Sequence, residues 1–310
     1  MPNPLNQRNA NRLPSVVQAA LEGVGIFGGA PRWAQMSELR HPTDVSDAEW
    51  TILAPLLAPP TRRGRPPRHE RRLVLNAVLY VLRGGIAWRL LPERFPPWPS
   101  VYDQFRRWRR AGVWRRINDA LRERARTFAG RAPQPTAAII DSQSVRTSEM
   151  GGERGYDGGK KINGRKRHLV VDTQGFVLHA RIHAADAHDR RAAELVLDGL
   201  QERYATVVCL FADMGYQGLG NWLEERLGWQ LLIVKRPSRW VWAPVDQPPP
   251  AMPAGFRVLP KRWIVERTFA WLGRQRRLAK DWERLAATTE TWIYLAMCKL
   301  MAKRLAKTCA

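Results

Sequence analysis

Three acidic residues stand where chemistry can be done. Asp141 closes the apolar run TAAIID, Asp213 closes VVCLFAD, and Glu266 lies in the helical pattern KRWIVERTFAWLGRQRR. Short apolar runs of this kind read as buried strands, and acids leaving the carboxyl ends of neighbouring strands are held side by side on rigid backbone. Two carboxylates so placed repel, and divalent cations offset that repulsion best. An all-oxygen donor set suits magnesium or manganese better than zinc. On spacing alone, each Asp could equally end a strand and open a turn. Glu266 narrows the choice. Arg262, Glu266, Ala270 and Gly273 share one helix face, and the small residues after the acid leave room for a ligand. Val265, Phe269 and Leu272 make an apolar stripe, while Arg267, Arg274 and Arg277 are spaced to follow a phosphate backbone.

The elements that must position these acids are legible in outline. Residues 1–35 are rich in Asn, Pro and Gly and read as a poorly ordered extension. Residues 36–132 read as a small helical domain. Ser46 or Asp47 caps a first helix, and the Pro- and Arg-rich stretch 59–69 links it to the next. Val74, Ala77, Val78 and Val81 then recur at helical spacing until Gly84-Gly85 ends the run. Val101, Phe105 and Trp108 form the stripe of a helix capped by Ser100, and Trp114, Ile117 and Leu121 that of another. From residue 133 the texture changes to β-β-β-α-β-α-β-α-α, a mixed α/β domain reaching residue 310 with helices on both sheet faces and a Pro-rich insertion near 237–260.

Composition sets the partner class. The 310-residue chain carries a formal charge of +23, and 42 of its 51 basic residues are arginine, which suits bidentate phosphate contact. A GC-rich genome gives the same bias. Such a surface gains by releasing counterions from nucleic acid. There is no long apolar run and no basic amphipathic helix with a clean apolar face, so a membrane partner is not expected. Three dispersed cysteines and no signal-peptide pattern point to the cytoplasm, with the chain on the nucleoid when it is DNA-bound. The GYDGGKKINGRKRH stretch concentrates Lys160, Lys161, Arg165, Lys166 and Arg167 between glycines, and reads as a phosphate-contacting loop or a solvated hairpin. Asp157 within it is read as a turn residue. His179, His183, Asp186 and His188 are close in sequence, but the first two fall on a strand and the others in a turn and cap, so they are not read as a metal site.

The stretches IIDSQSVRT, GYDGGKKINGRKRHLVVDTQG, FADMGY and RWIVERTFAWLGRQRRLAKD, in this order, resemble a bacterial insertion-sequence DDE transposase of the IS-five type, within the IS-four/IS-five superfamily. GRPPRHERR and WRLLPERFPPWPSVYDQFRRW extend the resemblance through the helical part, so that it covers most of residues 36–307. It implies a ribonuclease H-like catalytic core preceded by a small helical DNA-binding domain. Asp141, Asp213 and Glu266 then hold two magnesium ions, replaceable by manganese. The implied reaction is cleavage and strand transfer at the element's own inverted repeats on double-stranded DNA, by a homo-oligomer that joins two ends. Alternatives are an inactive DNA-binding derivative, such as a repressor or relic, and a metal-dependent nuclease without strand transfer. Arg262 and Glu266 match the Arg and Glu of the Tyr–Arg–Glu–Lys signature found in related groups. Leu259 stands in place of its Tyr and Gly273 in place of its Lys, with Arg274 adjacent; Met214 stands where a Lys is frequent. Helices near 70–83 and 100–116 can form a helix-turn-helix whose candidate contacts are Arg106, Arg107, Arg109 and Arg110, or an ordinary bundle with a charged outside. Arg63-Gly64-Arg65-Pro66 is read as a basic linker that has a minor-groove alternative.

Overall fold

The helical stripes ahead of residue 133 each become a helix with its apolar side turned inward. The computed structural model describes residues 41–57, 68–149, 152–234 and 261–307. Residues 1–35, the Arg63–Pro66 stretch, the 237–260 insertion and Leu259 lie outside these. Helix α1 (Asp47–Leu57) opens on a capping box: the Ser46 N–H donates to Glu49 Oε2 at 2.8 Å and the Glu49 N–H to Ser46 Oγ at 3.1 Å. Helix α2 (Arg71–Gly84) buries Val74, Ala77, Val78 and Val81. It stops at Gly85, whose φ of +71° favours glycine and whose N–H bonds Val81 O; a Cβ there would also meet Arg276 Cβ at 3.0 Å. Helix α3 (Trp98–Arg110) starts ahead of the expected Ser100 cap, because Pro99 fits the first turn, where its missing N–H costs nothing. Helix α4 (Val113–Phe128) buries Trp114, Ile117 and Leu121.

The strands are β1 (Ala137–Arg146), β2 (Gly155–Asp157), β3 (Ile162–Asp172), β4 (Val177–Ala184), β5 (Cys209–Ala212) and β6 (Gln230–Ile233). They form one sheet ordered β2-β3-β1-β5-β6, with β4 also on β3. Pairing is antiparallel among β1 to β4 and parallel from β1 through β5 to β6. Between them run α5 (Asp189–Leu197), α6 (Leu200–Arg203) and α7 (Gly220–Leu227); α8 (Arg262–Gly273) and α9 (Ala286–Ala306) follow the sheet. Strand alternation divides the core. Ala138, Ile140 and Val170 pack with α5, α6 and α7 on one face, while Ile139, Leu169 and Val171 pack on the other with α8 and α9. The outer edge of β4 is covered by side chains of α9: Tyr294 Oη accepts the Ala180 N–H at 3.1 Å and Glu290 Oε1 the Ile182 N–H at 3.1 Å.

The helices ahead of residue 133 share the second of these cores with the strands that follow. Helices α1 to α4 bury their stripes against the sheet and α9 rather than against one another alone, and Thr43–Ala310 forms one compact unit. Phe105 stacks on Trp292 with ring centroids 4.4 Å apart, Asn118 Nδ2 donates to Val177 O at 2.8 Å, and Arg126 Nη1 meets Asp172 Oδ2 at 2.8 Å with both side chains buried. The physical reason lies in α9, where 12 of 21 residues are buried on all sides; such a helix must be enclosed, and α1, α3 and α4 enclose it. No described helix is long and apolar enough to cross a membrane.

Candidate active site

Asp141 and Asp213 meet because β5 is short. Strand β1 pairs with β5 only over Ala137–Ile139, opposite Cys209–Phe211. Continuing that parallel register by two residues sets Asp213 level with Asp141. The expectation that Asp141 ends its strand is therefore corrected: β1 runs on to Arg146 along β3, and it is β5 that ends, leaving a notch beside Asp141. Ile139, Ile140, Asp141, Phe211, Ala212, Asp213, Val234 and Arg262 line a small cleft there. Each acid is oriented by a backbone amide: the Ser142 N–H donates to Asp141 Oδ1 at 2.7 Å and the Gly215 N–H to Asp213 Oδ1 at 2.9 Å. Burial pushes the Asp141 carboxyl up to about 6; repulsion from Asp213 adds to this, and the Ser142 amide, Arg262 and Lys160 oppose it.

Glu266 arrives on α8, which Ile264, Val265, Thr268 and Leu272 bury against the sheet. Phe269, expected in that stripe, is only partly buried, and Ile264 and Thr268 fill the inner face instead. The helix is tied to the β3–β4 turn: Thr268 Oγ1 donates to Gly175 O at 2.7 Å and Arg267 Nη2 to Gln174 O at 2.8 Å. Glu266, Ala270 and Gly273 remain exposed on one face, as the spacing predicts. Arg262 stands between the acids, 3.9 Å from Asp213 Oδ2 and 3.5 Å from Glu266 Oε1. Among the described residues no three His, Cys, Asp or Glu side chains are gathered closely enough to hold a metal ion. The donor chemistry nonetheless fits a hard cation: a buried carboxylate, Asp141, repelled by the nearby Asp213, with a third carboxylate one guanidinium away.

A family model described as "Transposase DDE domain" matches residues 132–301. The chain belongs to this transposase family. A second model, described as "Putative transposase of IS4/5 family", matches residues 45–118. The chain is also similar to the insertion element IS402 uncharacterized 16.2 kDa protein of Burkholderia cepacia, 34% identical over 118 residues, 36% of this chain and 78% of that protein. It resembles the uncharacterized protein y4sN of Sinorhizobium fredii as well, 35% identical over 69 residues, 22% of this chain and 55% of that one.

The structure sorts the transposase's expected basic contacts into two classes. Lys160 and Lys161 are exposed, and Lys160 Nζ reaches Ser142 O at 3.4 Å, beside the acids. Arg274 is exposed, and so are Arg107 and Arg110 on α3, with Arg106 and Arg109 half-buried. Arg165, Lys166 and Arg167 are instead buried in β3, which corrects their reading as an open loop. Alternation turns Arg165 and Arg167 to the α8–α9 face. Arg165 donates to the carbonyls of Glu153, Glu283 and Arg284 at 2.7, 2.7 and 2.8 Å, and Arg167 to those of Leu278 at 2.6 Å and Lys280 at 3.4 Å. Arg277 is likewise internal, 2.7 Å from Glu283 and bonded to Ile86 O at 3.0 Å. Arg267 lies between the Trp263 and Trp271 rings, 4.5 and 4.7 Å from their centroids.

One cluster escaped the sequence reading. On the face of β1 opposite Asp141, Ser142 Oγ donates to Asp189 Oδ1 at 2.9 Å, and Lys166 Nζ lies 3.0 Å from the same oxygen. Burial raises the Asp189 carboxyl, yet the Lys166 and Ser142 bonds leave it net below its usual range. His168 Nδ1 and His183 Nε2 are 2.7 Å apart; burial, then His183 and nearby lysines, pull His168 down to about 3. His183 is thus a hydrogen-bond partner inside the sheet. The available signal was the alternation of Ser142, Ser144, Lys166 and His168 on paired strands, visible only once the register is known. Asp157, read as a turn residue, lies in β2 and accepts bonds from Ser144 Oγ and the Lys160 N–H.

Proposed function

We propose that this transposase-family chain cuts DNA at the ends of its own insertion element and joins the freed ends to target DNA, using Asp141, Asp213 and Glu266. What supports the reading is the parallel pairing of β1 with β5, whose register, continued two residues beyond its last pair, brings Asp213 level with Asp141, and Arg262 on α8, which links Asp213 to Glu266. The antiparallel run β4-β3-β1 continued by the parallel strands β5 and β6, with the acids where β1 meets β5, supports a ribonuclease H-like core. Asp141, Asp213 and Glu266 would hold two divalent cations, magnesium or manganese. Bound there, such cations supply Lewis-acid activation of the attacking oxygen and stabilisation of the leaving one.

The chain's own groups do the rest. The Ser142 and Gly215 amides fix which carboxylate oxygens face the cleft. Lys160 and Arg262, both near enough to Asp141 to favour its charged form, are suited to hold a phosphodiester's non-bridging oxygens and to cancel its charge as it approaches three acids. No protein nucleophile is needed: water attacks first, and the resulting 3′-hydroxyl attacks next. Arg107, Arg110, Arg274, Lys160 and Lys161 are the exposed cations that serve DNA, and two element ends call for a homo-oligomer.

The test uses purified protein, magnesium and labelled duplexes from both flanks of its gene, with Asp213→Ala beside the wild type. Cleavage at a defined terminal base followed by joining, lost in the variant, supports the reading. Tight binding without cleavage in magnesium or manganese identifies a repressor or relic, and cleavage that is never followed by joining identifies a nuclease.

A further inference from the structure

We propose that the Lys280–Leu285 loop, between α8 and α9, is a rigid DNA-contacting surface with Trp282 at its centre. The proposal extends the reading above, since it takes the polyanion at the cleft to be DNA. The loop is held far more firmly than a connection needs. Asp281 pairs through its backbone with β1's end, donating to Arg146 O at 2.9 Å and accepting the Ser148 N–H at 3.0 Å. Its Oδ1 accepts from Thr289 Oγ1 at 2.8 Å and the Glu283 N–H at 3.0 Å. Arg165 and Arg167, both buried, donate to the carbonyls of Glu283, Arg284, Leu278 and Lys280. Desolvating two guanidinium groups to fix one surface loop is costly, and it is repaid where the loop's shape matters.

What the fixed loop presents is selective. Its two acids are withdrawn: Asp281 is buried, and Glu283 is held by Arg277 at 2.7 Å and by Trp292 Nε1 at 3.0 Å. Trp282 is left 42% exposed and Leu285 52% exposed, with Arg284 exposed beside them and Lys280 Nζ 5.1 Å over the Trp282 ring. A cation-flanked aromatic ring on pinned backbone matches a nucleic acid, whose phosphates take the charges and whose sugars and bases take the ring. An apolar protein partner would leave the cations unused. The loop also has a fixed distance from the cleft. Asp281 bridges Thr147, the residue just past the end of β1 and six beyond Asp141, so at about 3.3 Å per residue Trp282 lies about 20 Å away, some six base pairs along a duplex.

The experiment replaces the ring with a photoreactive one, Trp282→p-benzoylphenylalanine, in an Asp213→Ala background without metal, irradiated on an end-labelled duplex from the gene's flank. An adduct about five to seven base pairs from the position that the wild type cleaves is expected. Trp282→Ala should weaken duplex binding about tenfold, with Trp282→Phe restoring most of it. Arg284→Gln should lower the salt slope by about one phosphate. Adducts only with a second copy of the chain, or unchanged affinity in Trp282→Ala together with no DNA adduct, would overturn the proposal. A DNA adduct from a protein that never cleaves would leave the loop assignment standing and remove the transposition reading instead.

Discussion

Arg262 and Glu266, one turn apart on α8, lie 3.5 Å from each other, and the same guanidinium extends to within 3.9 Å of Asp213. The arginine thus supplies the positive charge between acids that are proposed to receive a cation. Arg262→Gln should tighten manganese binding to the DNA-free protein about tenfold, since a unit charge a few ångströms away is removed. Titration calorimetry measures this; unchanged affinity would show that Arg262 does not compete for the acids.

Asp141 is held against its own stability. Its folded carboxyl titrates at about 6 against an ordinary 3.8, chiefly through burial. A raised acid destabilises the folded state wherever it is ionised, so the cost is present at pH 7 and vanishes as pH falls through about 6 toward 4. Asp141→Asn should stabilise the metal-free protein at pH 7 by about 2–3 kcal/mol in chemical denaturation, and abolish cleavage. A destabilised variant would contradict the assignment.

The same shift sets the pH dependence of metal binding. Below about 6 the Asp141 proton must leave before a cation binds, so manganese affinity should fall about tenfold per unit there and level off above. Calorimetry from pH 5 to 8 would show the break. Asp141→Asn should lose it.

Arg126 and Asp172 form a buried pair that fastens α4 to the end of β3. Asp172→Ala leaves the guanidinium uncompensated and should cost about 3–5 kcal/mol in urea unfolding. Arg126→Met combined with Asp172→Leu should recover a large part of that loss.

Two cations of the GYDGGKKINGRKRH stretch should behave oppositely. Lys160→Ala should reduce the salt slope of DNA binding by about 0.9 with little change in melting temperature. Arg167→Ala should destabilise the fold by about 2 kcal/mol or more, because the carbonyls of Leu278 and Lys280 lose their donor, while altering the slope little. The pair of measurements on each variant distinguishes the two roles.

Local order decided what was legible in the chain. The apolar stripes of α2, α3 and α4 and the runs ending at Asp141 and Asp213 follow from side-chain periodicity, which acts over a few residues. So does the open face at Glu266, Ala270 and Gly273. Three other features depended on partners remote in sequence. Asp141 proved to lie inside a strand because β5 stops beside it, and register is a property of two strands together. The early helices share a core with the sheet because α9 draws them around itself. Arg165 and Arg167 read as surface cations because a guanidinium is buried only where carbonyls converge on it. All of those carbonyls but Glu153's lie 111 to 119 residues downstream, in and just before a loop that only the folded chain brings against β3.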